Sequence, residues 1–294
     1  MRIVTRPDFD GVVCAVLLHE AQPIDEVILW VQPNDMQYGL IDIHAGDIIA
    51  NLPYHPKCTL WFDHHYSNRI TSPFNGCFKI APSAAGIIYD YYQERIGTKY
   101  KELVAAADKI DAADLTLEEI QWPENHPYIL LSMTIFGRID SERNYWNKLV
   151  ELLQRHAIDR VLSDPEVEKR SQMVIKDNKI YKDYLHKHTI CADQISITDF
   201  RSFNPVPDGN RFLVYSMFPD TVANVKVYFD NNKTIIKLGH SVINRGCNVN
   251  VGKLLADFNG GGHRGAGACR FDKALTDEYL SKILKVLRKN IKND

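Results

Sequence analysis

Short apolar runs alternate with helical patterns along the first hundred residues, and this alternation restricts the fold more than any other feature of the chain. Residues 2–5, 26–31, 48–50 and 59–62 read as strands, while 12–20 and 83–95 carry helical spacing. The pattern predicts an α/β unit, a parallel sheet covered by helices. In such a sheet ligands sit beyond the carboxyl ends of the strands. The polar residues that follow each run are therefore where chemistry is expected, and they are mostly aspartate and histidine.

The 294 residues suffice for about two domains of roughly 150 residues each. Hydrophobic residues at 45% and charged residues at 24% exclude bulk disorder. A net charge of -2, from 35 basic and 37 acidic side chains, excludes the diffuse basic field of a protein that coats duplex DNA. Any anionic substrate must be held locally. The apolar run at the start is too brief for a signal-peptide core, and no stretch approaches the roughly 18 apolar residues of a membrane span. A cytoplasmic protein without membrane contact is expected. Six cysteines without a C-x-x-C pair fit reduced, buried thiols.

Residues 142–186 are charged and helical, with Ser163, Asp164 and Pro165 reading as a stop and a fresh N-cap. Strand-like QISIT, RFLVYSM, ANVKVYF and TIIKLGH follow, the last two joined by a hairpin turn at 230–233, and the amphipathic helix TDEYLSKILKVLRKNI closes the chain. The expected organisation is a catalytic domain over 1–150, a helical connector over 151–187 and a smaller mixed α/β domain over 188–294, with a cleft between the two lobes.

Three acidic or histidine clusters fall at expected element ends. Asp8 and Asp10 follow the first strand, and Gly11 lets the backbone bend close to a hard cation; as plain structure, Asp10 would instead cap a helix. Asp63, His64 and His65 follow TLWF and offer oxygen and nitrogen ligands suited to manganese or iron, or one ligand and one general acid. Asp108 and Asp111 lie in an alanine-rich run, as a metal-facing turn or a solvated helix end. Far along the chain, Gly260, Gly261, Gly262, His263 and Arg264 read as a phosphate-binding segment, since glycine amides cradle anions and the two side chains add donors. The spacing of a Walker loop is absent.

Taken together, the Asp63-His64-His65 tripeptide and the Gly260–His263 segment resemble the DHH phosphoesterase superfamily, and in the family's order. The resemblance covers nearly the whole chain. It is closest to the two-domain members with a C-terminal DHH-associated domain, among them oligoribonucleases, phosphoadenosine phosphatases, cyclic dinucleotide hydrolases and exopolyphosphatase-like proteins. It implies a dimetal site in the N-terminal domain and a GGGH-bearing substrate domain facing it. The family's first motif, H-x-D-x-D, stands here as Arg6-Pro7-Asp8-Phe9-Asp10, so an arginine replaces a ligand histidine. The aspartate of the second motif, at the end of the next strand, is Asn51; Asp47 precedes that strand and would point away. The fourth motif maps to Asp108 or Asp111.

Two divalent ions held about 3.5–4 Å apart need negative ligands to offset their repulsion. Arg6 and Asn51 work against the second ion, and Arg6 is suited to gripping a phosphate instead. The resemblance implies a hydrolase of a phosphate ester or anhydride using manganese, with magnesium or cobalt as substitutes, and one or two ions. Asp8, Asp10, Asn51, Asp63, His64, Asp108 and Asp111 are the metal-ligand candidates, and Asp63, His64 and His65 the catalytic ones. Arg6, Arg245, Asn248, Gly261, Gly262, His263 and Arg264 would hold a short oligonucleotide, a nucleotide or polyphosphate. The alternatives are a non-catalytic member that senses such a ligand, and an interaction protein that forms a homodimer through the helical connector.

Overall fold

The computed structural model describes residues 1–137 and 140–293. The chain divides into two compact units, one of residues 1–114 and 123–174, the other of residues 115–122 and 175–294. The division falls inside the 24-residue helix Pro165–His188, so residues 165–174 belong to the first unit. The helix starts where the Ser-Asp-Pro signal places it, with Asp164 Oδ1 accepting the Glu166 N–H at 3.0 Å.

In the first unit five strands, β1 (Arg2–Thr5), β2 (Leu29–Trp30), β3 (Asp47–Ala50), β4 (Leu60–Asp63) and β5 (Gly76–Phe78), form a parallel sheet in the order β2-β1-β3-β4-β5. Every residue of β3 is buried, as expected where helices cover both faces of a parallel sheet. Its Ile48 and Ala50 join the core under the Phe9–Ala21, Ala84–Tyr91, Lys101–Asp111 and Arg143–Arg155 helices, while Ile49 packs on the other face with Val4, Leu52 and Trp61. β5 is a strand that the sequence pattern does not reveal.

The second unit carries a mixed sheet of β6 (Thr189–Ala192), β7 (Ile195–Asp199), β8 (Ala223–Asp230), β9 (Lys233–His240), β10 (Gly260–Gly262) and β11 (Ala266–Asp272), in the order β10-β11-β9-β8-β7-β6. One face buries Val225, Val227, Ile236 and Leu238 with Leu255 and Ile283. One sequence expectation changes here. RFLVYSM forms a short helix, Leu213–Met217, instead of a strand, because Leu213, Val214, Tyr215 and Ser216 are all buried and do not alternate between two faces. The triglycine segment is an edge strand. Among the described residues, no helix is long and apolar enough to cross a membrane.

Gly11 fixes the path of the chain from β1 into the Phe9–Ala21 helix. A Cβ at this position would lie 1.9 Å from the Arg6 carbonyl oxygen and 2.9 Å from Thr5 Oγ1. Gly11→Ala is expected to lower unfolding free energy by about 1–3 kcal/mol through overpacking, read as a lower urea midpoint. An unchanged midpoint would show that the segment yields without cost.

Candidate active site

The strand order reverses between β1 and β3, because β2 lies on one side of β1 and the remaining strands on the other. A crevice beyond the carboxyl ends of these strands is where such a sheet takes a ligand. Residues leaving β1 bring Arg6, Asp8 and Asp10; Asn51 follows β3; β4 ends on Asp63, with His64 and His65 next.

His64 is held by its Nδ1, 3.0 Å from the Ala81 carbonyl oxygen. A carbonyl only accepts, so Nδ1 carries the ring proton and Nε2 of the neutral ring keeps its lone pair. That Nε2 is buried without a hydrogen-bond partner, 3.3 Å from Asp111 Oδ2 and 3.9 Å from Asp10 Oδ2. A lone pair facing two carboxylate oxygens in a buried place is repulsive unless positive charge lies among them. Ligand atoms of Asp10, His64 and Asp111 all lie within 4.8 Å of one another. Two carboxylates and an imidazole suit a divalent transition ion, and a carbonyl on the far ring nitrogen is the common support of a metal-binding histidine.

Asp10 is fixed by the helix opposite. Its Oδ1 accepts the Ala85 N–H at 2.8 Å and its Oδ2 the Ala84 N–H at 3.0 Å, at the positive end of the Ala84–Tyr91 helix. It lies within the first turn of its own helix, which is capped instead by Asp8 through the Gly11 N–H at 2.9 Å. Burial raises the Asp10 carboxyl well above its ordinary pKa, with Asp111 and Asp8 adding to the rise. A cation relieves all three influences.

Asp63 is fully buried. Its Oδ2 accepts from Asn68 Nδ2 at 2.7 Å and its Oδ1 from His65 Nδ1 at 2.8 Å. Asp63, His64 and His65 make a second close set of ligand atoms. Burial pulls the His65 imidazole down, but its hydrogen bond to Asp63 and the charges of Asp63 and Asp111 outweigh that, so its pKa is raised. The ring is one-third exposed.

The residues that depart from the family pattern act together. Arg6 Nε lies 2.9 Å from Asp8 Oδ2, and Asn51 Nδ2 donates to Asp8 Oδ1 at 3.0 Å. With the Gly11 amide, both oxygens of Asp8 are engaged by this chain's own donors, across the switch point itself. Burial raises the Asp8 pKa and Arg6 opposes the rise. Asn51 takes a left-handed φ of 57°, and its Oδ1 is buried without a partner, an oxygen free to face a cation. Asp47 lies at the opposite end of β3, paired with Arg2 at 2.7 Å.

Of the two aspartates on the Lys101–Asp111 helix, Asp111 faces His64, whereas Asp108 Oδ1 accepts the Ser83 hydroxyl at 2.6 Å. Ser83 in turn caps the Ala84–Tyr91 helix through the Gly86 N–H at 2.9 Å. Asn68 and Ser83 are the residues that the sequence reading leaves out. Asn68 stands five residues after the tripeptide's aspartate, and Ser83 before Ala-Ala-Gly has the form of an N-cap.

In the second unit, His263 and Arg264 form the turn between β10 and β11. Their carbonyls accept from Gly252 and Val251 at the start of the Val251–Ala256 helix, both within 3.0 Å. Arg264 reaches the Asn248 carbonyl at 3.4 Å, and Arg245 the Val242 carbonyl at 3.3 Å. His263 and Arg264 are exposed, as is the outer side of Gly262. The structure thus gathers Asn248, Gly261, Gly262, His263 and Arg264 at one edge of the sheet.

No family model matches the chain, and no curated protein does. Solved structures do. The chain is similar to PggH, a pGpG-specific phosphodiesterase from Vibrio cholerae, with 29% identity over 99% of each chain and a TM-score of 0.87. It is similar in fold to RecJ of Thermus thermophilus in complex with Mn2+, at 15% identity and a TM-score of 0.58, covering 98% of this chain and 52% of that one. A DHH domain from a member of the s1p family of ribosomal proteins matches at 13% identity and a TM-score of 0.60, over 98% of this chain and 86% of that one. The tripeptide at the end of β4, the switch-point cluster around it and the likeness to PggH over both units converge on one conclusion: the chain has the two-domain fold of DHH-family proteins and is similar to them over its whole length.

Proposed function

We propose that this protein is a divalent-metal-dependent phosphoesterase that hydrolyses a short phosphorylated nucleotide, with a 5′-phosphorylated dinucleotide such as pGpG as the first substrate to test. The observation that carries the reading is His64 Nε2, buried, unpartnered and facing the Asp10 and Asp111 carboxylates. Manganese is the leading ion, supported by the Mn2+ complex of the RecJ neighbour, with magnesium or cobalt as substitutes. Asp10, His64 and Asp111 would hold the ion, and Asp63 shares a second close set of ligand atoms with His64 and His65. When bound, such an ion supplies Lewis acidity and lowers the pKa of a coordinated water toward neutrality.

The chain's own residues do the rest. Asp63 orients His65 through the 2.8 Å hydrogen bond and favours its protonated form, which would deliver a proton to the departing oxygen. Arg6 stands where the family places a ligand of the second ion. A guanidinium there lends positive charge to the substrate phosphate without adding a cation that needs ligands. Arg245, Asn248, Gly261, Gly262, His263 and Arg264 would hold the remainder of the substrate. Small substrates are favoured by the near-neutral net charge of -2, since long nucleic acid is held by many basic contacts.

The engagement of Asp8 by Arg6 and Asn51 favours a second reading, a member that binds the nucleotide and does not cleave it. One experiment separates the two. EDTA-treated protein is assayed for hydrolysis of pGpG, bis(p-nitrophenyl) phosphate and polyphosphate, with and without manganese. The enzyme reading expects hydrolysis only with metal, and fastest with pGpG. Binding of pGpG with no turnover of any compound would establish the non-catalytic reading, and hydrolysis indifferent to EDTA would overturn the metal site.

A further inference from the structure

Across the face of the C-terminal sheet turned away from its apolar core, the strand register sets two lysines directly opposite each other. Lys226 on β8 pairs with Lys237 on β9, so their Cβ atoms leave the same face about 4.5–5.5 Å apart, a spacing at which like charges are unfavourable. Val225 and Val227, on either side of Lys226, point into the core. Lys237 is exposed, whereas the Lys226 side chain is only 15% exposed. Its ammonium donates to the Tyr181 hydroxyl at 3.2 Å. Asp208 Oδ1 lies 3.9 Å away, on a side chain 89% exposed. Burial lowers the Lys226 pKa; Asp208 opposes the fall and Lys237 adds to it.

The same row runs on to the GGGH segment. Lys237 pairs with Ala268 on β11, and Ala268 pairs with Gly261 on β10. At about 4.8 Å per strand, Lys237 stands roughly 10 Å from Gly261. Ala268 is exposed, and a Cβ at Gly261 would meet nothing within 4 Å. An open floor of small groups therefore leads from two cations to the family's phosphate-binding segment.

We propose that Lys226 and Lys237 form a subsite for a terminal phosphate monoester, on the sheet face shared with Gly261, which selects a 5′-phosphorylated nucleotide over its unphosphorylated counterpart. This deepens the phosphoesterase reading and rests on it for the identity of the ligand as substrate. A monoester carries close to two negative charges at neutral pH, which matches two ammonium groups and removes their mutual repulsion. An internal diester carries one. Tyr181 is buried, and its hydroxyl, which accepts from Lys226 at 3.2 Å, fixes the position of that ammonium.

The test is equilibrium binding of pGpG and of GpG, which lacks the 5′-phosphate, to the EDTA-treated full chain, with inorganic phosphate titrated separately. Native protein, Lys226→Gln, Lys237→Gln, the double variant and Lys237→Arg are compared. The native chain is expected to prefer pGpG by about tenfold or more, as charge-assisted contacts imply. The double variant should lose that preference, and Lys237→Arg should keep it. A preference unchanged in the double variant overturns the subsite. Inorganic phosphate that binds as tightly as pGpG, and is lost in the double variant, overturns it in favour of a site for free phosphate. The thermal midpoints should be no lower in the glutamine variants, because a like-charged pair is removed; a lost preference in variants that melt well below the native chain counts against the proposal. No turnover is read, so a protein that hydrolyses nothing yet discriminates pGpG from GpG through these lysines would retain the subsite while refuting the enzyme reading.

Discussion

His64→Ala will lower manganese affinity by well over tenfold and abolish metal-dependent phosphodiester hydrolysis. Residues that only orient metal ligands cost about 10–100-fold in affinity or activity when removed, so a nitrogen that meets the ion directly sets that range as a floor. The substitution also deletes the bond to the Ala81 carbonyl, and its structural cost is read separately in the metal-free thermal midpoint. His64→Gln keeps a polar side chain of similar reach without the imidazole and should be nearly as inactive. Calorimetric titration with manganese checks the affinity, and release of nucleotide from pGpG checks the activity. Native-like affinity in both variants would remove His64 from the metal site.

The second large effect is on stability. Burial raises the carboxyls of Asp8, Asp10 and Asp108 in the folded chain, so the metal-free native state binds protons more tightly than the unfolded state. Their contribution to stability is complete below about pH 3.9, the ordinary aspartate value, and is lost as pH rises through the elevated values. A bound cation reverses this at Asp10, because it replaces that proton. The increase in thermal midpoint caused by manganese should therefore grow as pH is raised from 4 to neutrality. At free metal one hundred times the dissociation constant the stabilisation is about 2.7 kcal/mol, or roughly 5–10 °C for a unit of this size. Carboxylates outside the site with lowered values, such as Glu20 and Asp199, act alike with and without metal and cancel from the difference. Paired scanning calorimetry checks it; a manganese increment that shrinks with pH would contradict the buried-carboxylate account.

Much of the site was legible because it lies at strand ends. β1 falls on residues 2–5 as the apolar run predicts, and β4 ends on Asp63, so the tripeptide had to emerge at the carboxyl edge of the sheet. Other elements were hidden for physical reasons. β5 has three residues, too few to show a period, and RFLVYSM is apolar without alternation, a pattern that a buried helix and a buried strand share. Between Asp108 and Asp111 spacing could not decide, since residues three apart share a helix face. Their partners differ: Ser83 at a helix cap for one, His64 for the other. The coupling of Arg6 and Asn51 through Asp8 was equally out of reach, because it needs the adjacency of β1 and β3, which the sequence order of the strands does not display.

The central claim is that a divalent ion is the positive charge required among Asp10, His64 and Asp111. A second ring proton on His64 Nε2 is the competing way to supply that charge. Anomalous diffraction at the manganese edge, from crystals equilibrated with manganese at neutral pH, distinguishes them most directly. The account predicts an anomalous peak in bonding contact with His64 Nε2 and with carboxylate oxygens of Asp10 and Asp111. A map with no peak at His64, or with its strongest peak beside Asp108 and Ser83 instead, would contradict it.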